Sequence, residues 1–160
     1  MTKRKNVDDV TSNIPGSDGQ SRKYGMSTLA VHAGARPDPV TGARGTPIYQ
    51  TTSFVFDDAE HGAELFNLQT FGYVYSRMTN PTVSVFEERV AQLEGGRGAV
   101  ATSSGHAAQF IAAATLMEAG DEFIASRNLY GGSVTQFGVS FPKLGWKCNF
   151  VDPTDPANFE

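Results

Sequence analysis

Apolar and polar positions show no helical period over the first half of the chain and a regular one over the second. Residues 1–25 are rich in Ser, Asp, Lys and Gly with scattered apolar groups. Such a stretch cannot bury enough surface to offset backbone ordering, so a disordered tail is expected. Composition changes at Met26. Residues 27–60 carry Thr, Gly and Pro at irregular spacing, then an apolar run from Ile48 to Phe56. The absence of a period predicts an extended segment lying on another surface. Asp57-Asp-Ala-Glu60 reads as a short helix start.

From Asn80 the pattern is regular. Asn80-Pro81 supplies an N-cap and an N1 proline. Val83, Phe86, Val90 and Leu93 share one helical face, and Gly95-Gly96 end the helix. Gly98 to Thr102 predicts a buried strand, Gly105 to Met117 an Ala-rich helix, and Glu122 to Ser126 a second strand. Residues 131–141 predict a helix ending before Pro142, and Trp146 to Val151 a third strand. Strands alternating with helices at these lengths mean βαβ units, right-handed crossovers and a parallel sheet of about three strands. Parallel sheets are normally covered on both faces, so this chain reads as the front part of a larger protein or as a chain that needs a partner. The organisation expected is a tail over 1–25, an arm over 26–79 and the beginning of an α/β domain over 80–160.

Composition narrows the function. The chain has 160 residues, 39% apolar and 19% charged, with a net charge of −4. Mild acidity argues against a nucleic-acid or anionic-membrane surface as its main role. No run reaches the ~18–20 apolar residues of a membrane helix. Lys3, Arg4 and Lys5 are not followed by an apolar signal region. Cys148 is the only cysteine; no internal disulfide is possible, and a cytoplasmic location is expected. His32, His61 and His106 have no spacing that makes a metal site.

Three segments have candidate chemistry, each beside a plainer reading. Thr102-Ser-Ser-Gly-His106 lies between a predicted strand and a predicted helix. Free backbone N–H groups at such a turn can bind an anion, with Ser103 or Ser104 adding a hydroxyl; the same residues also make an ordinary cap. A serine nucleophile fits less well, because the elbow pattern wants Gly where Thr102 stands. In Tyr73-Val-Tyr-Ser-Arg77, Tyr75 and Arg77 project to the same side of an extended chain and can reach one phosphate. The alternative is a surface arginine beside a packed tyrosine. In Asn128-Leu-Tyr-Gly-Gly132, Tyr130 follows a parallel strand, where ligand crevices lie, and two flexible glycines let it face a planar ligand or simply pack in a turn.

Taken together these segments resemble the Cys/Met-metabolism family of pyridoxal-phosphate (PLP) enzymes, which includes cystathionine synthases and lyases, methionine gamma-lyase and O-acetylhomoserine sulfhydrylase. The matching stretches are Thr28 to Gly34, Pro47 to Phe54, Tyr75 to Thr82, Leu93 to Gly96, Ser104-Gly105 and Leu129 to Gly132. Tyr75 to Thr82 and Phe150 to Phe159 look most like the O-acetylhomoserine sulfhydrylase branch. The resemblance implies a type I, aspartate-aminotransferase-like α/β domain, incomplete here, with an extended N-terminal arm. It also implies that PLP is the cofactor and that the substrate is a small amino acid. Ser104, Gly105 and His106 would hold the PLP phosphate, with His106 contributing through its backbone, since relatives often carry another residue there. Tyr130 would stack on the pyridine ring. Tyr75 and Arg77 would reach the phosphate of a neighbouring subunit in a homo-oligomer, and residues 26–79 would lie across that neighbour.

PLP chemistry needs a lysine to hold the cofactor covalently and an acidic group at the pyridine nitrogen. In the family both follow the Tyr130 position. Lys3, Lys5, Lys23, Lys143 and Lys147 stand in no such context, so the chain reads as an N-terminal fragment without a catalytic residue of its own. The parent activity implied is exchange of the acetoxy group of O-acetylhomoserine for sulfide or a thiol. The rival within the family is a cystathionine synthase or lyase, or methionine gamma-lyase. The rival from another class is a non-catalytic oligomerisation or phosphate-binding module. The 160-residue chain by itself is expected to form no homocysteine from O-acetylhomoserine and sulfide with PLP added. Turnover abolished by changing Lys143 or Lys147 would overturn that expectation.

Overall fold

In the computed structural model, which describes residues 24–160, the chain divides into one unit ending at Ala101 and another from Thr102 to Glu160. The tail expected over 1–25 therefore lies, for residues 1–23, outside the described residues. The first unit does not stop at residue 79: helix α3 belongs to it together with the arm.

The arm is less uniformly extended than its sequence predicts. Helix α1 spans Met26–His32 and helix α2 spans Ala59–Phe66. Leu29 and Ala33, one helical turn apart, are 1% and 0% exposed. That i, i+4 pair is the driving stripe of α1, too short to show as a period. Asp58 caps α2, its carboxylate accepting from the His61 N–H at 2.7 Å. Helix α3 spans Pro81–Glu94 and ends at Gly95 with φ 66°, the left-handed cap that glycine adopts without strain. The predicted face is only partly covered: Val83 and Phe86 are 40% and 58% exposed, Val90 and Leu93 are half-buried, and Ala91 is the buried residue of the helix. Helix α3 meets α1 through its Val85–Arg89 side. Arg89 Nε donates to the Ala33 carbonyl at 3.0 Å. Gly34, at φ +72°, lies so near the Val85 carbonyl that a Cβ would sit 2.7 Å from it.

Between α1 and α3 the backbone is held mainly by side chains. Residues 52–54 and 74–76 make a short antiparallel pairing around the Ser53–Tyr75 bridge. The Ser76 hydroxyl donates to the Thr51 carbonyl. Asn80 is 7% exposed. Its Oδ1 accepts from the Thr82 N–H at 2.9 Å, capping α3. Its Nδ2 donates to the Tyr49 carbonyl and to Ser76 Oγ, both at 3.0 Å. Thr82 Oγ1 donates to the Pro47 carbonyl at 2.8 Å and accepts from the Tyr49 N–H at 2.9 Å.

The second unit contains helix α4 (Gly105–Leu116), strand β1 (Glu122–Ser126), helix α5 (Gly131–Thr135) and strand β2 (Lys147–Val151). The strands are parallel, in register from Glu122–Lys147 to Ser126–Val151, as the alternation predicted. The expected strand at 98–102 is absent among the described residues. No ladder partner reaches it, and the Ala101 N–H instead donates to Glu87 Oε1 at 2.7 Å. The helix after residue 131 also departs from expectation. It widens to a π-helix over Gln136–Ser140 and tightens to a 3₁₀ turn over Phe141–Leu144, so it passes Pro142. Pro142 is tolerated because it opens the 3₁₀ turn, where its missing N–H costs nothing. Phe123, Phe137, Phe141 and Trp146 cluster around the buried Phe141 and Trp146, with Phe110, 42% exposed, at the edge; Phe141–Trp146 centroids are 5.1 Å apart and Phe137–Phe141 5.2 Å apart. Across the strands, Glu122 accepts from Lys147 Nζ and from Asn149 Nδ2 at 2.8 Å. Those bonds, the Asn149 amide first, hold its carboxyl below the usual range.

Asn80→Ala is expected to lower stability by about 2–4 kcal/mol, a cap plus two hydrogen bonds. Asn80→Asp keeps the cap acceptor but sets a buried carboxylate oxygen against the Tyr49 carbonyl oxygen, so it is expected to lose at least as much as the alanine variant. Denaturant midpoints measure both, and amide exchange at Tyr49 should quicken in the alanine variant. A loss below about 0.5 kcal/mol would show the arm to be held by other contacts.

Candidate cofactor site

The turn before α4 is built as a helix start with unused donors. Ser104 is extended, at φ −163°, and its Oγ accepts from the Ala107 N–H at 3.1 Å. The next N–H, Ala108, bonds back to the Ser104 carbonyl at 3.0 Å. Among the described residues the N–H groups of Gly105 and His106 have no acceptor. A Cβ at Gly105 would meet nothing within 4 Å, so an anion can approach those donors closely. Cap and anion site, which the sequence presents as alternatives, coexist: Ser104 Oγ satisfies the third helical N–H and leaves the first two outward.

Tyr130 follows β1 on the side where both strands end. The Arg127 N–H extends the ladder to the Val151 carbonyl at 3.0 Å, and the Arg127 guanidinium pairs with the Asp152 carboxylate. This is the carboxyl edge of the parallel pair, where α/β ligands bind. Tyr130 is the N-cap of α5 and 75% exposed. Its ring lies 5.9 Å from the His106 ring, tilted by 38°. The two glycines after it are not flexible hinges. Both are in the first turn of α5 with no positive φ. Gly131 has open space where a Cβ would stand, whereas one at Gly132 would be 2.7 Å from both His106 and Tyr130 ring atoms.

Residues that sequence reasoning missed tie these parts together. Gln109 Nε2 donates to Ser133 Oγ at 2.9 Å, and Ser133 Oγ lies 3.1 Å from Gln109 Oε1. Ser133 is 4% exposed. Gln136 Nε2 donates to the His106 carbonyl at 2.9 Å. The available signal was Gln109 at i+3 from His106, on the same helix face.

Tyr75 and Arg77 belong to the first unit and stand together there. The Ser53 bridge holds Tyr75, and the Arg77 guanidinium lies 5.5 Å over its ring, a cation–π contact. The structure thus groups Tyr75 with Arg77, and Ser104, Gly105 and His106 with Tyr130. Cys148 is half-buried on β2, and burial pushes its thiol up; it stays protonated and packs as a small apolar group.

This arrangement, backbone donors and an aromatic face at the carboxyl edge of a parallel α/β unit, suits a phosphorylated planar cofactor. The sequence model of the Cys/Met metabolism PLP-dependent enzymes matches residues 27–160, and the chain belongs to that family. It is 50% identical over 145 residues, 91% of its length, to the O-acetyl-L-homoserine sulfhydrylase of Leptospira meyeri, of which it spans 33%. It is 54% identical over 126 residues, 79% of its length, to O-acetyl-L-homoserine sulfhydrylase 1 of Thermus thermophilus, of which it spans 30%. The fold matches a crystal structure from Campylobacter jejuni described as an O-acetylhomoserine (thiol)-lyase carrying N'-pyridoxyl-lysine-5'-monophosphate. The TM-score is 0.80 at 34% identity, over 84% of this chain and 33% of that one. The chain therefore has the type I PLP-enzyme fold in part and spans about a third of the relatives it matches.

Ser104→Ala is expected to cost about 1 kcal/mol, because the Ala107 N–H loses its acceptor, and Ser104→Gly only a few tenths. Thermal or denaturant unfolding measures the difference. Equal effects of the two substitutions would show that the hydroxyl does not cap α4.

Proposed function

We propose that this chain is the cofactor-phosphate-binding part of a PLP-dependent O-acetylhomoserine sulfhydrylase. Such an enzyme exchanges the acetoxy group of O-acetylhomoserine for sulfide or a thiol and yields homocysteine or methionine plus acetate. The observation that carries this reading is the 50% identity to the Leptospira enzyme over nearly the whole chain. The site agrees with it. The Gly105 and His106 N–H groups and the Ser104 hydroxyl would hold the phosphate at the positive end of α4. Tyr130 would cover one face of the pyridine ring. PLP, when bound, supplies an electron sink for carbon beside the substrate amine. The compartment that goes with this reading is the cytosol.

Arg77, with Tyr75, would bring charge-assisted bonds to the phosphate of a neighbouring copy. Two N–H donors neutralise only part of a dianion, and a guanidinium offers a two-pronged grip. Its stacking on Tyr75 already restricts its rotamers, so less entropy is lost when it engages an anion.

The complete protein should release homocysteine from O-acetylhomoserine and sulfide. Dependence on cysteine as the sulfur donor, with cystathionine as product, would instead identify a cystathionine synthase. In that protein Arg77→Ala should weaken PLP at least ~10-fold, and Arg77→Lys should recover only part. Mixed oligomers test the sharing of sites. Arg77→Ala subunits would be combined with subunits lacking the cofactor lysine that the family places after the Tyr130 position. Activity should reappear. No recovery, with subunit exchange verified, would assign Arg77 to its own chain.

A further inference from the structure

We propose that His106 is a positioning residue: its imidazole sets the plane of Tyr130, and Gly132 lacks a side chain because that imidazole and the tyrosine ring occupy the space. The proposal rests on the PLP site just described, since it concerns how Tyr130 is aimed at the cofactor ring.

Three observations converge on it. The His106 and Tyr130 rings are neighbours at 5.9 Å between centroids, within the range of interacting aromatic pairs. A Cβ at Gly132 would stand 2.7 Å from His106 Cε1, from His106 Nε2 and from Tyr130 Cε1. Such an approach is far inside van der Waals contact, so one added methyl group must displace one ring or both. The backbone at Gly132 is helical, without a positive φ, so conformation would admit another residue and the two rings are what a side chain there would have to move. Gly131 next to it meets nothing, which shows how local the demand is.

The base on which His106 stands is fixed. Gln136 Nε2 holds its carbonyl at 2.9 Å, and Gln109, one turn along α4, is bonded to the buried Ser133 of α5. These bonds join the first turn of α4 to α5. His106 therefore has two separable functions. Its N–H belongs to the anion-binding turn whatever its side chain is, and its ring supports Tyr130. Tyr130 is 75% exposed and its hydroxyl makes no hydrogen bond among the described residues, so the imidazole is a principal restraint on its plane.

The experiment is a double-mutant cycle in the complete protein. PLP affinity is read by titration of the cofactor-free form, and cofactor asymmetry by the visible circular dichroism of bound PLP. Thermal midpoints control for folding. His106→Ala should weaken PLP about 2- to 10-fold, the equivalent of one aromatic pair, and reduce the visible signal. His106→Phe, which keeps a flat ring, should retain both. Gly132→Ala should be impaired more than His106→Ala, and adding His106→Ala to it should bring affinity back to the level of His106→Ala alone, because without the imidazole the Tyr130 ring can swing clear of the methyl group. If His106→Ala does not fold, His106→Gln takes its place in the cycle. Wild-type affinity and dichroism in His106→Ala, or a Gly132→Ala defect that His106→Ala does not relieve, would overturn the proposal. Tyr130→Ala separates the two levels. A PLP affinity unchanged by Tyr130→Ala refutes the stacking reading itself, whereas a loss there with none in His106→Ala refutes only the role of His106.

Discussion

An extended backbone outside a sheet must find partners for its peptide groups, and in the first unit Asn80 and Thr82 provide them. The Asn80 amide uses its oxygen on the Thr82 N–H and its nitrogen on Tyr49 and Ser76. The Thr82 hydroxyl donates to Pro47 and accepts from Tyr49. The start of α3 is thereby also the anchor of residues 47–49. The Ser76 hydroxyl continues the chain to Thr51 and so secures the short pairing that holds Tyr75. A helix cap contributes about 1 kcal/mol where it acts only on its helix. Here the same side chain determines the path of the arm, and the placement of Tyr75 and Arg77 follows from that path.

The second unit solves a different problem. A two-stranded parallel ladder is a weak structure by itself, and its stability comes from the aromatic cluster. Phe141 is 1% exposed and Trp146 7%. Phe123 reaches this cluster from β1, Phe110 from α4, and Phe137 from the π-helical segment. The π-helical and 3₁₀ segments carry the chain across Pro142, with Phe137 and Phe141 both in the cluster.

Much of this was legible in the sequence wherever a local rule decides. Asn80-Pro81 and Gly95 bound α3 as capping chemistry requires, and the parallel pairing of β1 with β2 followed from alternation with helices. The family segments were readable because they run in order along the chain. What could not be read depends on distant partners. Residues 98–102 have strand composition but no ladder, and strand structure exists only in pairing. Val83 and Phe86 have helical spacing, yet α3 packs through Val85 and Arg89, because Ala33 and Gly34 of the arm approach that side. The seven residues of α1 bury only Leu29, with Ala33 at the C-cap, too little for a period to register.

The paired glycines after Tyr130 show the limit most sharply. Adjacent and identical in sequence, they invite one explanation, flexibility, and the structure supports it for neither. Gly131 could carry a methyl group into open space, while Gly132 could not without striking two rings. A sequence reports that a residue is small; it does not report which neighbour makes it so. One of the two neighbours here is a side chain on another helix, His106, in the first turn of α4, where the Gly105 and His106 N–H groups are free. His106 thus stands in two constraints at once, one on its N–H, which any residue at the helix start would supply, and one on its ring, which together with the Tyr130 ring fills the space beside Gly132.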